Sequence, residues 1–256
     1  MTKALFFDID GTLVSFKTHV MPASAISAIN AAREKGIKVF ISTGRSRTII
    51  NNLGALKFDG YITMNGAYCF VGDEVIHRNS IPAEDVRTLA NTVKKKGLTC
   101  IFVKEKKMFI TNPSWMSNEF STILNTPPFA EIAPEDMIGS EVFQICPFIT
   151  PALENELMPQ LPGCESSRWH PSFTDIVAKG NSKHYGIDKI IQHFGISLEE
   201  TMSFGDGGND ISMLKHAAIG VAMGNAAEEV KRHANYVTDT VDNDGVEKAL
   251  KHFGII

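Results

Sequence analysis

Short apolar segments alternate with segments of helical periodicity at both ends of the chain. This alternation predicts parallel strands with helices on both faces, because each helix returns the chain to the same edge of the sheet. In the N-terminal part, we predict strands at 4–7, 37–41 and 61–64 and helices at 22–35 and 46–53. In the C-terminal part, we predict helices at 183–194, 210–216, 226–233 and 245–253 and strands at 201–204 and 219–222.

The middle of the chain has a different pattern. It holds most of the eleven prolines, and strand-like segments at 98–103, 108–111, 141–145 and 173–177 interrupt helical candidates. We therefore predict that residues 82–182 form a separate α+β domain, inserted into a core domain made of residues 1–81 and 183–256. The predicted fold class is α/β, with a Rossmann-like parallel sheet in the core domain and helices on both of its faces.

Composition excludes several classes of protein. The formal net charge is −4, and the longest basic run, Lys94 to Lys96, precedes Gly97 as the end of a helix does, so a nucleic-acid partner is not expected. The four cysteines form no Cys-x-x-Cys pair, and we interpret them as reduced core residues. No apolar stretch reaches the length of a membrane span, and the apolar run before Asp8 is too short for a signal peptide. We expect a cytoplasmic protein with no membrane association and no obligate protein partner.

The motif Asp8-Ile9-Asp10-Gly11-Thr12 directly follows the first predicted strand. Residues at the carboxyl ends of parallel strands line the ligand crevice, so Asp8 and Asp10 are expected in one cleft. Two acids so close repel each other unless a cation lies between them, which favours a hard divalent ion such as Mg²⁺. Taken alone, an Asp-x-Asp-Gly segment after a strand is also consistent with a simple turn.

Three further segments add to this site. Thr43 and Gly44 follow the second strand, where a hydroxyl and backbone N–H groups can bind phosphate; a helix N-cap is the alternative interpretation. Residues 205–210, with the sequence Gly-Asp-Gly-Gly-Asn-Asp, place two acids and an amide in a glycine-rich loop. Lys183 begins the helix that returns the chain to the core. The 205–210 loop lacks the dinucleotide fingerprint, and the chain has no P-loop spacing, which disfavours a dehydrogenase or a nucleotide-binding enzyme.

Together these motifs resemble those of the haloacid dehalogenase-like hydrolases, and within them the Cof-type sugar-phosphatase branch. The motifs occur in the order of that family: Asp8-x-Asp10-Gly-Thr, Thr43-Gly44-Arg45, Lys183, and Gly205-Asp206-Gly-Gly-Asn209-Asp210. The resemblance covers the whole chain, because this branch carries a large cap domain between its second and third motifs.

The resemblance implies a role for each matching residue. Asp8 would be the nucleophile and Asp10 the acid and base. The implied ligands of Mg²⁺ are Asp8, Asp10 through its backbone carbonyl, and Asp206, with Asp210 as a supporting carboxylate. The implied phosphate ligands are Thr43, Gly44, Lys183 and Asn209. Lys179 is the alternative to Lys183, and Asn65 is either a second cleft residue or part of a plain turn.

The expected function is magnesium-dependent hydrolysis of a small phosphorylated metabolite, such as a sugar phosphate, through an aspartyl-phosphate on Asp8. Two alternatives remain: a phosphomutase using the same carboxylates, and a non-catalytic regulator that binds a phosphometabolite. Specificity is expected to lie in the inserted domain. Its candidate residues are Trp115, Arg168, Trp169 and His170, each of which is equally consistent with packing or exposure at the surface.

Overall fold

The structure, a computed structural model, describes all 256 residues. Its strands are β1 Ala4–Phe7, β2 Lys38–Ser42, β3 Gly60–Thr63, β4 Tyr68–Val71, β5 Glu74–Arg78, β6 Cys100–Val103, β7 Met108–Thr111, β8 Ala130–Glu131, β9 Gln144–Pro147, β10 Cys164–His170, β11 Phe173–Ala178, β12 Thr201–Gly205, β13 Ile219–Ala222 and β14 Tyr236–Val237. Its helices are α1 Ala23–Glu34, α2 Ala83–Lys96, α3 Trp115–Ile123, α4 Pro151–Leu157, α5 Lys183–Phe194, α6 Ile211–His216, α7 Glu228–Lys231 and α8 Gly245–His252.

The chain divides into two compact units. The first comprises Met1–Gly44, Ile50–His77 and Ser182–Ile256, and the second comprises Arg45–Ile49 and Arg78–Asn181. The sequence predicts domain boundaries after residues 81 and 182, whereas the units divide after residues 77 and 181. The short segment Arg45–Ile49 was not assigned to the inserted part by sequence.

The first unit contains a sheet with the strand order β14-β13-β12-β1-β2-β3-β4-β5. The six strands from β14 to β3 are parallel, whereas β4 runs antiparallel to β3. The sheet is therefore mixed, whereas the sequence predicts a parallel sheet. The difference comes from β4 and β5, which are not among the predicted strands. The chain proceeds from β1 to β2 and β3 in one direction and from β12 to β14 in the other. The strand order thus reverses between β1 and β12, and open α/β sheets bind ligands at this point.

Alternation of side chains along β1 builds a core on each face of this sheet. Phe7 stacks on Phe204 in a cluster that includes Ile29 of α1 and Leu250 of α8. On the opposite face, Phe6 stacks on Phe40 in a cluster that includes residues of α5 and α6. Strands buried on both faces require the continuous apolar runs that the sequence displays. The helices lie on both faces, as predicted.

The second unit is an α+β unit with its own core. Its sheet has the order β10-β11-β9-β6-β7-β8, and every pair is antiparallel except β7 with β8. Side chains of α2 pack on the sheet with those of β6, β9 and β11. Helix α2 ends where Gly97 adopts the left-handed conformation, directly after the Lys94 to Lys96 run, which confirms the interpretation of that basic run.

Two predicted helices are shorter in the structure. The segment 46–53 forms only a 3₁₀ turn at Arg47–Ile49, because the guanidinium of Arg45 donates to the carbonyl oxygen of Ile49 (2.6 Å), which a continuing helix would use itself. Consecutive β-branched residues followed by two asparagines also disfavour a helix there. The helix predicted at 226–233 is reduced to Glu228–Lys231. After Lys231 the hydrogen bonds join residues three positions apart, as in a 3₁₀ turn; the His233 N–H, for example, donates to the Val230 carbonyl oxygen.

The predicted strands of the second unit differ by small shifts. The strand expected at 141–145 lies at Gln144–Pro147. Strands β8 and β10, which pair with β7 and β11, were not predicted from the sequence. By contrast, β7 and the start of β11 agree with the predicted ranges. No helix in the structure combines the length and the apolar character that crossing a membrane requires.

Candidate active site

Asp8 and Asp206 follow the two strands between which the strand order reverses. The register pairs Phe7 of β1 with Phe204 of β12, and the backbone N–H of Asp8 continues this ladder by donating to the Phe204 carbonyl oxygen (3.0 Å). Asp206 follows the last residue of β12. The two acids therefore lie at the carboxyl edge of adjacent parallel strands.

Lys183 lies at the same place. Its side chain is fully buried, and its Nζ donates to Oδ1 of Asp8 (2.6 Å) and to Oδ1 of Asp210 (2.5 Å). The position follows from the start of α5, where the side chain of Ser182 accepts the N–H of Tyr185 as an N-cap. Lys179, the alternative considered from the sequence, is exposed in a turn of the second unit.

Asp210 holds the glycine-rich loop in shape. Its Oδ2 accepts the backbone N–H groups of Asp206 (2.9 Å) and Gly207 (2.8 Å), while its Oδ1 accepts Lys183. Gly205 has to be glycine, because a Cβ atom there would lie 2.5 Å from the Cβ of Asp210. Both oxygens of Asp210 are therefore used within the protein, which fits a supporting carboxylate.

Asp206 is held from two sides. Its Oδ1 accepts the hydroxyl of Thr12 (2.9 Å), and its Oδ2 accepts the side-chain amide of Asn225 (3.2 Å). Gly11, which has a φ of +85°, brings the backbone so close that a Cβ would lie 2.1 Å from Oδ2 of Asp206. Neither Thr12 nor Asn225 has a role among those predicted from the sequence. Asn225 follows strand β13, so its position after a strand is the signal that could have identified it.

Burial and mutual repulsion destabilise the charged carboxylates. Burial raises the pKa of Asp8 to about 7; Lys183 opposes this rise, and the charges of Asp210 and Asp10 add to it. Burial also raises the pKa of Asp206 well above its usual value, with the charges of Asp8 and Asp210 contributing. Burial lowers the pKa of Lys183, but the neighbouring carboxylates outweigh this effect and raise it, so the ammonium stays charged.

This donor set fits a hard divalent cation. Carboxylate oxygens of Asp8, Asp206 and Asp210 lie within 4.8 Å of one another, and such ions prefer oxygen ligands. A cation among them would relieve the repulsion that raises the pKa of Asp8 and of Asp206. The carboxylate of Asp10 is not in this group, whereas the carboxylate of Asp210 is. The role of Asp10 as a ligand through its carbonyl stays a prediction.

The other predicted residues lie along the same edge of the first unit. The Thr43 N–H donates to the Ile62 carbonyl (2.8 Å), and the Thr43 carbonyl accepts the N–H of Asn65 (3.1 Å). The Asn209 amide in turn donates to Oδ1 of Asn65 (3.0 Å). Gly44 is the last residue of this part of the unit. Only the 3₁₀ turn Arg47–Ile49 follows before β3, so the helix N-cap alternative for Thr43 and Gly44 is wrong.

Gly66 allows Ser182 to approach the Asn65 turn. We expect Gly66→Ala to lower the free energy of unfolding by about 3 kcal/mol or more, because φ is +93° and the new Cβ would lie 2.1 Å from the Ser182 carbonyl oxygen. Gly54→Ala is the matched control: its φ is also positive, but no atom lies within 4 Å, so we expect a loss of about 1 kcal/mol. Urea unfolding measures both, and equal losses would contradict the close approach.

Arg168, one of the specificity candidates in the second unit, is committed to structural bonds. Its guanidinium donates to the carboxylate of Glu154 (2.7 and 2.9 Å) and to the carbonyl oxygens of Ile149, His170 and Pro171. These contacts hold the end of β10 near α4. Packing, the alternative named above, therefore explains Arg168.

The remaining candidates differ in exposure. Trp169 donates from Nε1 to Oδ2 of the buried Asp175 (3.3 Å), and His170 stacks on Phe173. Trp115, at the start of α3, is 70% exposed. Of the four candidates, Trp115 has the side chain most accessible to a ligand.

The fold and the site define an α/β enzyme whose buried carboxylates and lysine meet at the reversal of strand order. A family model described as haloacid dehalogenase-like hydrolase matches residues 5–250. The chain belongs to this family, and it is a hydrolase of the phosphatase type.

Individual relatives place the chain more narrowly. It is 57% identical to the solved structure of the HAD subclass IIB sugar phosphatase BT4131, with a TM-score of 0.96 and a match covering 100% of both chains. It is 31% identical to the 5-amino-6-(5-phospho-D-ribitylamino)uracil phosphatase YcsE of Bacillus subtilis (strain 168), over 98% of this chain and 95% of the relative. It is also 31% identical to the pyridoxal phosphate phosphatase YbhA of Escherichia coli (strain K12), over 97% of each. The predicted resemblance to the Cof-type branch, subclass IIB, is confirmed.

Proposed function

We propose that this protein is a magnesium-dependent phosphatase that hydrolyses small phosphorylated metabolites through an aspartyl-phosphate on Asp8. The observation that carries the proposal is the buried Lys183 ammonium between Asp8 and Asp210, beside a third carboxylate at the point where strand order reverses. A site that only bound phosphate would gain nothing from placing a carboxylate against that anion. The carboxylate of Asp8 is explained by nucleophilic attack.

Asp8 and Asp10 would carry the two steps. A carboxylate oxygen of Asp8 bonds to phosphorus, the bond from phosphorus to the ester oxygen breaks, and Asp10 gives its proton to that oxygen, which leaves as an alcohol. Asp10 then takes a proton from water, whose oxygen bonds to phosphorus. The bond between phosphorus and Asp8 breaks, so phosphate leaves and the carboxylate of Asp8 is restored.

Other residues would neutralise and orient the reacting groups. Lys183 holds Oδ1 of Asp8, which leaves Oδ2 of Asp8 outside this bond as the attacking atom. Asp8, Asp10 through its carbonyl, and Asp206 would hold Mg²⁺, which when bound offsets the negative charge of the phosphate and of the attacking carboxylate. Asn65 would orient the amide of Asn209, to which it is hydrogen-bonded.

Phosphate oxygens would be bound by Thr43, Gly44, Lys183 and Asn209. The backbone of Thr43 is fixed by its bonds to β3 and to Asn65, so the residue that would carry the binding hydroxyl is held at the end of β2. The Lys183 ammonium supplies positive charge at the same edge. Fixed donors of this kind are effective because they need no reorganisation during the reaction.

The substrates we propose are sugar phosphates, which the relative BT4131 supports by its description as a sugar phosphatase. Other relatives are described as acting on a phosphorylated pyrimidine and on pyridoxal phosphate, so the family site is compatible with several leaving groups. The residues that select one leaving group over another would lie in the second unit, and Trp115 is the first candidate because its side chain is exposed. A cytoplasmic location and the absence of an obligate protein partner stay predictions.

We expect release of inorganic phosphate from a hexose phosphate in the presence of Mg²⁺, loss of this activity with a chelator, and recovery on adding Mg²⁺. We also expect kcat/KM for the hexose phosphate to exceed that for a phosphopeptide by at least about 10-fold, which corresponds to only ~1.4 kcal/mol of transition-state binding. A phosphate-release assay measures both. An isomeric sugar phosphate without free phosphate would identify a mutase, and binding without any turnover would identify a regulator.

A further inference from the structure

We infer that Asn225 is a positioning residue that fixes the carboxylate of Asp206 relative to the Asp8 to Thr12 loop. Asn225 lies in the loop that follows β13, whereas its partners Gly11 and Asp206 follow β1 and β12. Its side-chain amide donates to the carbonyl oxygen of Gly11 (2.9 Å) and to Oδ2 of Asp206 (3.2 Å). One NH₂ group therefore joins the loops after β1 and β12, which carry the nucleophile and the proposed metal ligand.

The two oxygens of Asp206 are held by different side chains. Thr12 donates to Oδ1, and Asn225 donates to Oδ2, so both the rotation and the tilt of the carboxylate are determined. Residues that hydrogen-bond to a metal ligand fix its orientation, and their loss typically lowers metal affinity by about 10- to 100-fold. The inference rests on the proposed function only in assuming that Asp206 binds Mg²⁺.

The third bond of Asn225 is structural. Its Oδ1 accepts the backbone N–H of Val241 (3.0 Å), which ties the loop to the turn before α8. Loss of this bond lowers stability in any variant that shortens the side chain, whether or not Asn225 acts on Asp206. The test therefore needs a control that loses a comparable bond elsewhere.

Asn235 is this control. It is an exposed asparagine directly before β14, and its Oδ1 accepts the backbone N–H of Gly220 in β13 (2.7 Å). The side chain of Asn235 bonds to Gly220 and not to a residue of the candidate site. Asn225→Ala and Asn235→Ala each remove one bond from side chain to backbone N–H, but only Asn225→Ala also removes the two bonds that the amide donates to Gly11 and Asp206.

The experiment is titration of the metal-free full chain with MgCl₂ by isothermal calorimetry, with thermal unfolding as a check on folding. We expect Asn225→Ala to raise the Kd for Mg²⁺ by about 10- to 100-fold and Asn235→Ala to leave it within about 2-fold, while both variants still unfold cooperatively. In phosphate-release assays, we expect the Mg²⁺ concentration for half-maximal activity of Asn225→Ala to rise while kcat recovers at saturating Mg²⁺. Asn225→Ser, a smaller change, should give the same direction if the alanine variant folds poorly.

Equal Mg²⁺ affinities of Asn225→Ala, Asn235→Ala and the wild type would overturn the inference. Asp206→Asn separates this failure from a failure of the proposed function. If Asp206→Asn binds Mg²⁺ as the wild type does, then the proposed metal site itself is wrong. If Asp206→Asn loses binding while Asn225→Ala retains it, only the positioning role of Asn225 is wrong.

Discussion

Asp8→Asn reduces kcat by at least about 10⁴-fold, because the neutral amide cannot form the covalent bond to phosphorus on which the proposed reaction depends. Asparagine has nearly the same shape, and its Oδ1 can still accept the Lys183 ammonium that Asp8 accepts at 2.6 Å. The measurement is phosphate release from a hexose phosphate at saturating Mg²⁺.

The same variant tests whether the loss is chemical or structural. Burial raises the pKa of Asp8 to about 7, so charging this carboxylate near neutral pH carries a desolvation penalty that an amide does not have. We therefore expect the metal-free variant to have a Tm equal to or above that of the wild type, a pattern common where function requires a strained site. Turnover close to that of the wild type would remove the nucleophile assignment, and a large drop in Tm would make the activity loss uninformative.

Local signals in the sequence were sufficient where short segments determine the structure. The predicted helix 183–194 agrees with α5, because Ser182 as N-cap and Gly195 in the left-handed conformation are both readable from residue type. The strand at 219–222 agrees with β13 for a similar reason, since an apolar segment is followed closely by the turn residues Gly224 and Asn225. In such segments, the residues that specify where the helix or strand begins and ends are its neighbours in the sequence.

Local signals failed where a distant side chain determines the backbone. The helix predicted at 46–53 is replaced by a turn because the Arg45 guanidinium binds the Ile49 carbonyl and also the Leu124 carbonyl (2.8 Å) from elsewhere in the second unit. The β4 to β5 hairpin was missed although Gly72, with a φ of +58°, occupies its turn, because the short strand β4 follows directly on the Asn65 turn. Tertiary contacts outweigh propensity in the first case, whereas in the second case a local turn signal at Gly72 was present.

In the candidate site, too, some features are specified by local sequence and others only by contacts between distant residues. Asp8, Asp206 and Lys183 could be placed at one edge from strand order alone, because the carboxyl ends of parallel strands share an edge. The bonds of Thr12 and Asn225 to Asp206 join residues 194 and 19 positions apart, and they depend on side-chain rotamers that no sequence spacing specifies. A chain can therefore display its reacting groups in its motifs while the groups that orient them are recognised only in the structure.

Lys183→Met is expected to have the second large effect, on stability as well as activity. The substitution removes the ammonium that Asp8 and Asp210 share and leaves two buried carboxylates facing an apolar side chain. Breaking a buried ion pair by removing one partner costs about 3–5 kcal/mol, and we expect a loss of this size in the free energy of unfolding at pH 8. Denaturant titration in a buffer with a chelator measures it, so that metal binding does not contribute.

The pH dependence of this loss has a definite sign. The pKa of Asp8 is already raised to about 7 with Lys183 in place, and it rises further when that cation is removed. An acid whose folded pKa exceeds its unfolded pKa favours folding below the unfolded value, and this contribution is lost as pH rises through the folded value. The free energy of unfolding of the variant should therefore fall as pH increases from about 4 through 7 and beyond.

Lys179→Met provides the matched control, since it removes a lysine four positions earlier that is exposed. We expect its free energy of unfolding to stay within about 0.5 kcal/mol of the wild type, as is usual for surface substitutions, and its phosphatase activity to be unchanged. If Lys179→Met abolishes activity and Lys183→Met does not, the assignment of the catalytic lysine is reversed. If Lys183→Met is as stable as the wild type at pH 8, the buried ammonium does not compensate the charges of Asp8 and Asp210.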